Sequence, residues 1–232
     1  MPCSKPSLSP HRVIRQLSLQ QVRPLLIELF QTWGIPQAIR TDNGSPLGSP
    51  CRTVIPIFSL WLAGWGIRHI LNRPRIPTDN PNVENNQATS ARWAEVHNCR
   101  DLAEVDLKLE EAARFQRDHF QVSRLGGVTR KQLYTRLYDN PRKFDQIEFD
   151  HHKAYQLLAQ ALYPRKASTN GVISLYEKPF SIGAKYRGQV VFVTFQPNEL
   201  NWLCVDKNKQ VIKILDDPRF QPDNLYNLTV CQ

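Results

Sequence analysis

Two carboxylates in this sequence stand where metal chemistry could be done. Asp42 ends the short run Ala38-Ile39-Arg40-Thr41 and enters an Asn43-Gly44 turn. Glu84 follows a proline-rich loop and falls in the first turns of a helix opened by Asn80-Pro81, an Asn cap with Pro at the first helical position. The 41 residues between them hold one predicted helix and one predicted strand, enough chain to leave a sheet and return beside it. Carboxylates delivered from a strand end and a neighbouring helix suit hard cations such as Mg²⁺ or Mn²⁺, which prefer oxygen ligands and keep several waters. Two such ions about 4 Å apart can activate a nucleophile and stabilise the leaving oxygen of a phosphodiester. By spacing alone a plainer alternative stays open. Asp-Asn-Gly is an ordinary turn, and a Glu near a helix start complements the dipole.

A second set of residues could meet phosphates. Arg68, His69, Arg73 and Arg75 cluster just before Glu84, and Asn43 adjoins Asp42. Such side chains position a nucleic acid without reading its bases. Nearer the C-terminus, Lys178, Lys185 and Arg187 are further backbone-contact candidates, whereas Phe195 and Trp202 are expected to fill a core. Arg92, Arg114 and Arg117 are interspersed with acids and fit surface pairing. His151-His152 has no cysteine nearby and makes a poor zinc site.

The elements that must hold these residues follow from periodicity. Val22, Leu25, Leu26, Leu29, Phe30 and Trp33 repeat at helical spacing; that helix starts between Ser18 and Arg23 and stops at Gly34. Strands are expected at 38–41 and 67–71, with a helix through Ile57, Leu60, Trp61 and Trp65 between them. A helix running to about Cys99 and a charged one from Asp101 to about Phe120 show no clean break. Past Arg165 the composition becomes β-rich, in runs at 171–176, 189–195, 200–205 and 210–215, which predicts a small barrel or sandwich.

The 232 residues carry a net charge of +9, and 41% are hydrophobic. That excludes global disorder and favours polyanionic partners. The longest uncharged stretch, Thr53 to Ile67, is too short to span a bilayer and contains Pro56. The five cysteines are scattered and odd in number, so a reducing compartment is expected. No secretory signal is expected at the polar N-terminus. Residues 1–41 have five basic and one acidic residue, and elsewhere the excess is thin, so charge defines no single groove.

The run WGIPQAIRTDNGSPLGS (Trp33 to Ser49), followed by WLAGWGIRHILNRPRIPTDNPNVENNQ (Trp61 to Gln87), resembles bacterial insertion-sequence transposases with a retroviral-integrase-type catalytic core. RWAEVHNCRDL, FQRDHF, TRKQLYTRLYDNPRKF and NGVISLYEKPFSIGAKYRGQVVFVTF continue the similarity in order. The resemblance implies an α/β fold: a partial RNase-H-like integrase core over residues 18–120 after a polar basic leader at 1–17. A helical connector at 121–165 and a small C-terminal β-barrel at 166–232 complete it. It implies metal-dependent DNA strand cleavage and transfer, with Asp42 and Glu84 as the second and third acidic positions of a D-D-E site holding Mg²⁺ or Mn²⁺. The implied partners are transposon-end and target DNA and another copy of the chain or a full-length transposase, with no membrane. The implied location is cytoplasmic and nucleoid-associated.

Three departures accompany the resemblance. The only acidic residue before Asp42 is Glu28, in a predicted helix, so the first catalytic Asp is absent. The chain is therefore expected to be truncated ahead of Met1 and weakly active or inactive alone. Asn85 stands where the family usually has a basic residue, and the spacing from Asp42 to Glu84 is long, with the excess expected between Ser45 and Pro56. A non-catalytic DNA-binding or assembly module that modulates a full-length transposase is the alternative.

Overall fold

The computed structural model describes residues 17–49, 54–72, 88–123, 126–135 and 138–229. Most of the expected leader, the proline-rich loop and the helix start at Asn80-Pro81 lie outside the described residues. The fold is mixed α/β. Its elements are α1 (Leu19–Trp33), β1 (Ala38–Thr41), α2 (Ile57–Gly64), β2 (Arg68–Leu71), α3 (Leu102–Asp118), β3 (Gln121–Val122), β4 (Val128–Thr129), α4 (Arg130–Leu133), α5 (His151–Ala159), β5 (Tyr163–Lys166), β6 (Val172–Leu175), β7 (Lys178–Ser181), β8 (Val190–Gln196), β9 (Asn201–Val205), β10 (Val211–Leu215) and α6 (Pro222–Leu225). Among the described residues no helix is long and apolar enough to cross a membrane. The chain divides into two compact units, Met1–Ile35 with Asn72–Gln146 and Pro36–Leu71 with Ile147–Gln232.

In the first unit, Ser18 caps α1 by accepting from the Gln21 amide. Pro24 lies inside α1, where its missing N–H leaves the Gln20 carbonyl without its helical donor. The helix stops at Gly34, whose φ is +75°. Here glycine is required twice over, because a Cβ would also come within 2.7 Å of the Arg142 carbonyl oxygen. Asn140 Nδ2 donates to the Trp33 carbonyl at 2.9 Å, and Ile35 N donates to the Arg142 carbonyl at 2.8 Å. The sequence shows no break between the two middle helices, but the structure has one. Glu95 adopts a left-handed φ of 47°, a 3-10 turn covers Val96–Asn98, and Asp101 then caps α3 by accepting from Glu104 N at 2.8 Å. Ala94, Leu109 and Ala112 are buried there with Trp93, Val96 and Val105 against them.

The second unit contains a parallel β1–β2 pair and an antiparallel sheet ordered β10-β9-β8-β5, whose β5 begins at Tyr163. Alternation along β8 and β9 points Val191, Val193, Phe195, Trp202 and Cys204 inward. Tyr155 of α5 stacks on Phe195 at 5.4 Å, and Trp202 meets Phe195, Tyr163 and Phe220 edge-on at 5.0–5.3 Å. The expectation of a core role for Phe195 and Trp202 therefore holds. The helix α2 is apolar almost all round and is buried nearly throughout. It packs on α5 through Gly64, which lies under the Phe149 ring.

The expected C-terminal barrel is not observed. Among the described residues the four strands form an open sheet with β10 and β5 at its two ends. The β6–β7 hairpin is a separate ladder, so among the described residues the strands form no closed barrel.

Candidate functional site

Parallel pairing sends both strands of β1–β2 out at the same edge. The register runs from Ala38 opposite Arg68 to Thr41 opposite Leu71. In open α/β sheets, ligands gather at that carboxyl edge. Asp42 is the first residue beyond it and is exposed. Its Oδ1 accepts from the Gly44 amide at 3.2 Å, an Asx turn that orients the carboxylate and leaves it open to solvent. The loop then folds back: Gly48 N donates to the Gly44 carbonyl at 2.8 Å, and a Cβ at Gly48 would lie 2.6 Å from the Asn43 backbone. Asn43 is half-buried inside this loop.

Behind Asp42 lies a polar chain that sequence analysis missed. Thr41, buried at the end of β1, donates its hydroxyl to the Asp42 carbonyl oxygen at 2.9 Å. Thr41 Oγ1 also lies 2.8 Å from His69 Nε2, and His69 Nδ1 lies 2.7 Å from Ser59 Oγ on α2. A hydroxyl has one proton to give. With Thr41 spending its proton on the Asp42 carbonyl, Nε2 must be the protonated nitrogen. Nδ1 is then bare and accepts from Ser59. The Phe58 ring stands edge-on to His69 at 5.2 Å. Burial pushes the imidazole pKa down to about 4, so the ring is neutral at physiological pH.

This corrects one expectation. Placed with Arg68, Arg73 and Arg75 as a basic cluster, His69 instead turns inward and offers no charge to a phosphate. A signal was present: Ser59 is the one polar side chain in the otherwise apolar helix IFSLWLAG and needs a partner when buried. Arg68 is exposed but pairs with Ala38, the far end of the ladder from Asp42 and about 13 Å along the strand. Arg73, Arg75 and Glu84 lie outside the described residues.

Lys178 is also not free for DNA. Its Nζ bonds Asp217 Oδ1 at 3.2 Å and sits 5.1 Å from the Phe180 ring centre. Lys185 lies over the Tyr186 ring, and Arg187 is exposed. Arg187 joins Lys166, Ser168, Thr169 and Gly188 around a shallow depression of about 500 Å³. Arg117 pairs with Asp118 at 3.1 Å and stacks over Trp33 at 5.0 Å, the pairing expected of it. His151 packs edge-on to Phe149, and His152 gives its backbone N–H to the capping Asp150.

The chemistry of Asp42 fits a hard cation: an exposed carboxylate oxygen on a turn rigidly tied to a strand end. Among the described residues no three His, Cys, Asp or Glu side chains converge on one point. No family model matches the chain, and no curated protein matches it significantly.

Proposed function

We propose that this chain is an insertion-sequence transposase or integrase of the D-D-E type, with Asp42 and Glu84 as two of its metal-binding carboxylates. The observation that carries this reading is the placement of Asp42, exposed and hydrogen-bonded into an Asx turn at the carboxyl edge of a parallel strand pair. The ordered motifs from Trp33 to Gln87 supply the family pattern in which such an Asp is a ligand. In this reading β1, β2 and α2 are part of an RNase-H-like core, and the open sheet with its hairpin is the C-terminal β-module. Mg²⁺ or Mn²⁺, when bound, supplies Lewis-acid activation of the attacking oxygen and neutralises the phosphodiester. Asp42 would hold the ion from the strand end; its Oδ1 accepts from the Gly44 amide, which leaves Oδ2 available. Glu84 is the proposed second carboxylate by its place in the sequence motif alone. Arg68, Arg73, Arg75 and Asn43 are the proposed nucleic-acid contacts.

Nicking of supercoiled plasmid with Mn²⁺ tests this, with wild type beside Asp42→Ala and Glu84→Ala. Nicking by wild type that both variants abolish supports it. Nicking that survives either substitution overturns the assignment of these two carboxylates, and none from folded wild type overturns catalysis by this chain alone and leaves the non-catalytic reading below.

A second reading, a DNA-binding or assembly module without catalysis, is favoured by the exposed Lys166 and Arg187 flanking one depression with two hydroxyl residues. Binding that weakens steeply with salt, in a protein that does not nick, selects it.

A further inference from the structure

The chain Ser59, His69, Thr41, Asp42 has a direction. Ser59 O–H points to His69 Nδ1, His69 Nε2–H to Thr41 Oγ1, and Thr41 O–H to the Asp42 carbonyl. It starts on α2, which is buried nearly throughout and held by Phe58, Leu60, Trp61 and Leu62 in the core, a fixed point of reference. It ends on the peptide between Asp42 and Asn43. A carbonyl at the mouth of an exposed loop would otherwise be free to bond water and rotate. Here the hydroxyl holds it from one side, while the Gly44 amide holds the Asp42 carboxylate from the other. Both the backbone and the side-chain torsions of Asp42 are thereby restrained.

We propose that His69 is a positioning residue for Asp42, acting through the Thr41 hydroxyl to fix the peptide that presents the carboxylate. Its importance for chemistry rests on the metal-site reading above; the positioning itself does not. A packed histidine satisfied only by Ser59 and Thr41 would fill the core equally well without the last bond. That last bond links the half-buried ring to the loop, and misplacing a reacting group by about 1 Å can lower a rate about 100-fold.

The test compares wild type with Thr41→Val, which keeps the shape and loses the hydroxyl, and Thr41→Ser, which keeps it. The amide of Asn43 belongs to the restrained peptide, so its NMR resonance reports on the bond directly. Thr41→Val is expected to shift and broaden the Asn43 and Gly44 amides while β8 and β9 resonances stay in place. Thr41→Ser is expected to restore them. In wild type, ring-nitrogen spectra are expected to show His69 with its proton on Nε2. An unmoved Asn43 amide in Thr41→Val, or a proton on Nδ1 in wild type, overturns the proposal; the second measurement needs no variant to fold. Mn²⁺-dependent nicking, measured alongside, is expected to fall about tenfold or more in Thr41→Val and to recover in Thr41→Ser. The expected amide shifts in a wild type that does not nick would uphold the positioning and remove the reading of this chain as a catalyst by itself.

Discussion

Arg219 grips the carboxylate of Asp217 through Nε at 2.9 Å and Nη2 at 2.7 Å, and Asp217 is almost completely buried. The same guanidinium donates to the carbonyls of Tyr176 at 2.7 Å and Leu175 at 3.1 Å. Those carbonyls belong to the turn joining β6 to β7, where Tyr176 and Glu177 both have positive φ. A two-residue hairpin loop needs that backbone, and it is costly for residues with a Cβ. The Arg219 clamp offsets the cost from outside the hairpin.

Breaking this pair is expected to be expensive. Asp217→Ala leaves Arg219 and Lys178 without their shared acceptor, and a loss of about 3–5 kcal/mol is expected from urea unfolding. Burial raises the Asp217 pKa, but Arg219 and then Lys178 more than reverse it, so the folded carboxyl lies below its usual range. A carboxyl depressed in this way contributes stability above its unfolded pKa of about 4. That stability is expected to fade as pH falls below about 4, and the fading should be absent in Asp217→Asn.

His69 gives a second acid-side window. Its folded pKa of about 4 is below the ordinary 6.5, so the folded state favours the neutral ring. The contribution is fully present above about pH 6.5 and drains away between 6.5 and 4, reaching at most about 3 kcal/mol. Wild type is expected to lose stability across that window, while His69→Gln, which cannot take up the proton, is expected to show a flatter profile. Denaturation midpoints at pH 7, 5.5 and 4.5 decide it.

Gly64 makes a steric prediction. A Cβ there would lie 2.3 Å from the Phe149 ring, and the Gly64 carbonyl accepts from Asp150 N at 2.9 Å. Neither the ring nor the helix can retreat without opening the α2–α5 contact. Gly64→Ala is expected to cost about 1–3 kcal/mol, and adding Phe149→Leu should recover part of it. Thermal unfolding of the two variants is the check.

A DNA-binding titration is expected to separate exposed cations from paired ones. Lys166→Ala and Arg187→Ala are each expected to lower the slope of log affinity against log salt by about 1. Lys178→Ala is expected to leave that slope unchanged and to reduce stability instead, because Lys178 is spent on Asp217.

The sequence by itself determined the local elements around the site. Helical spacing from Val22 to Trp33 with Gly34 after it marked α1, and the runs at 38–41, 57–65 and 67–71 marked β1, α2 and β2. These signals are legible because the period, cap and breaker all lie within a few residues of one another. Tertiary structure decided the rest. The run at 171–176 marked β6, but its hairpin partner β7 was not legible because Tyr176-Glu177 carries no turn signature, and the turn is held by Arg219, 43 residues away. Whether the C-terminal strands close or stay open depends on which edges find partners, a long-range choice that no local pattern encodes. His69 read as a cation by its neighbours in sequence. It is a neutral ring because folding brings Ser59 and Thr41 to its two nitrogens and half-buries it, and only the assembled chain sets that environment.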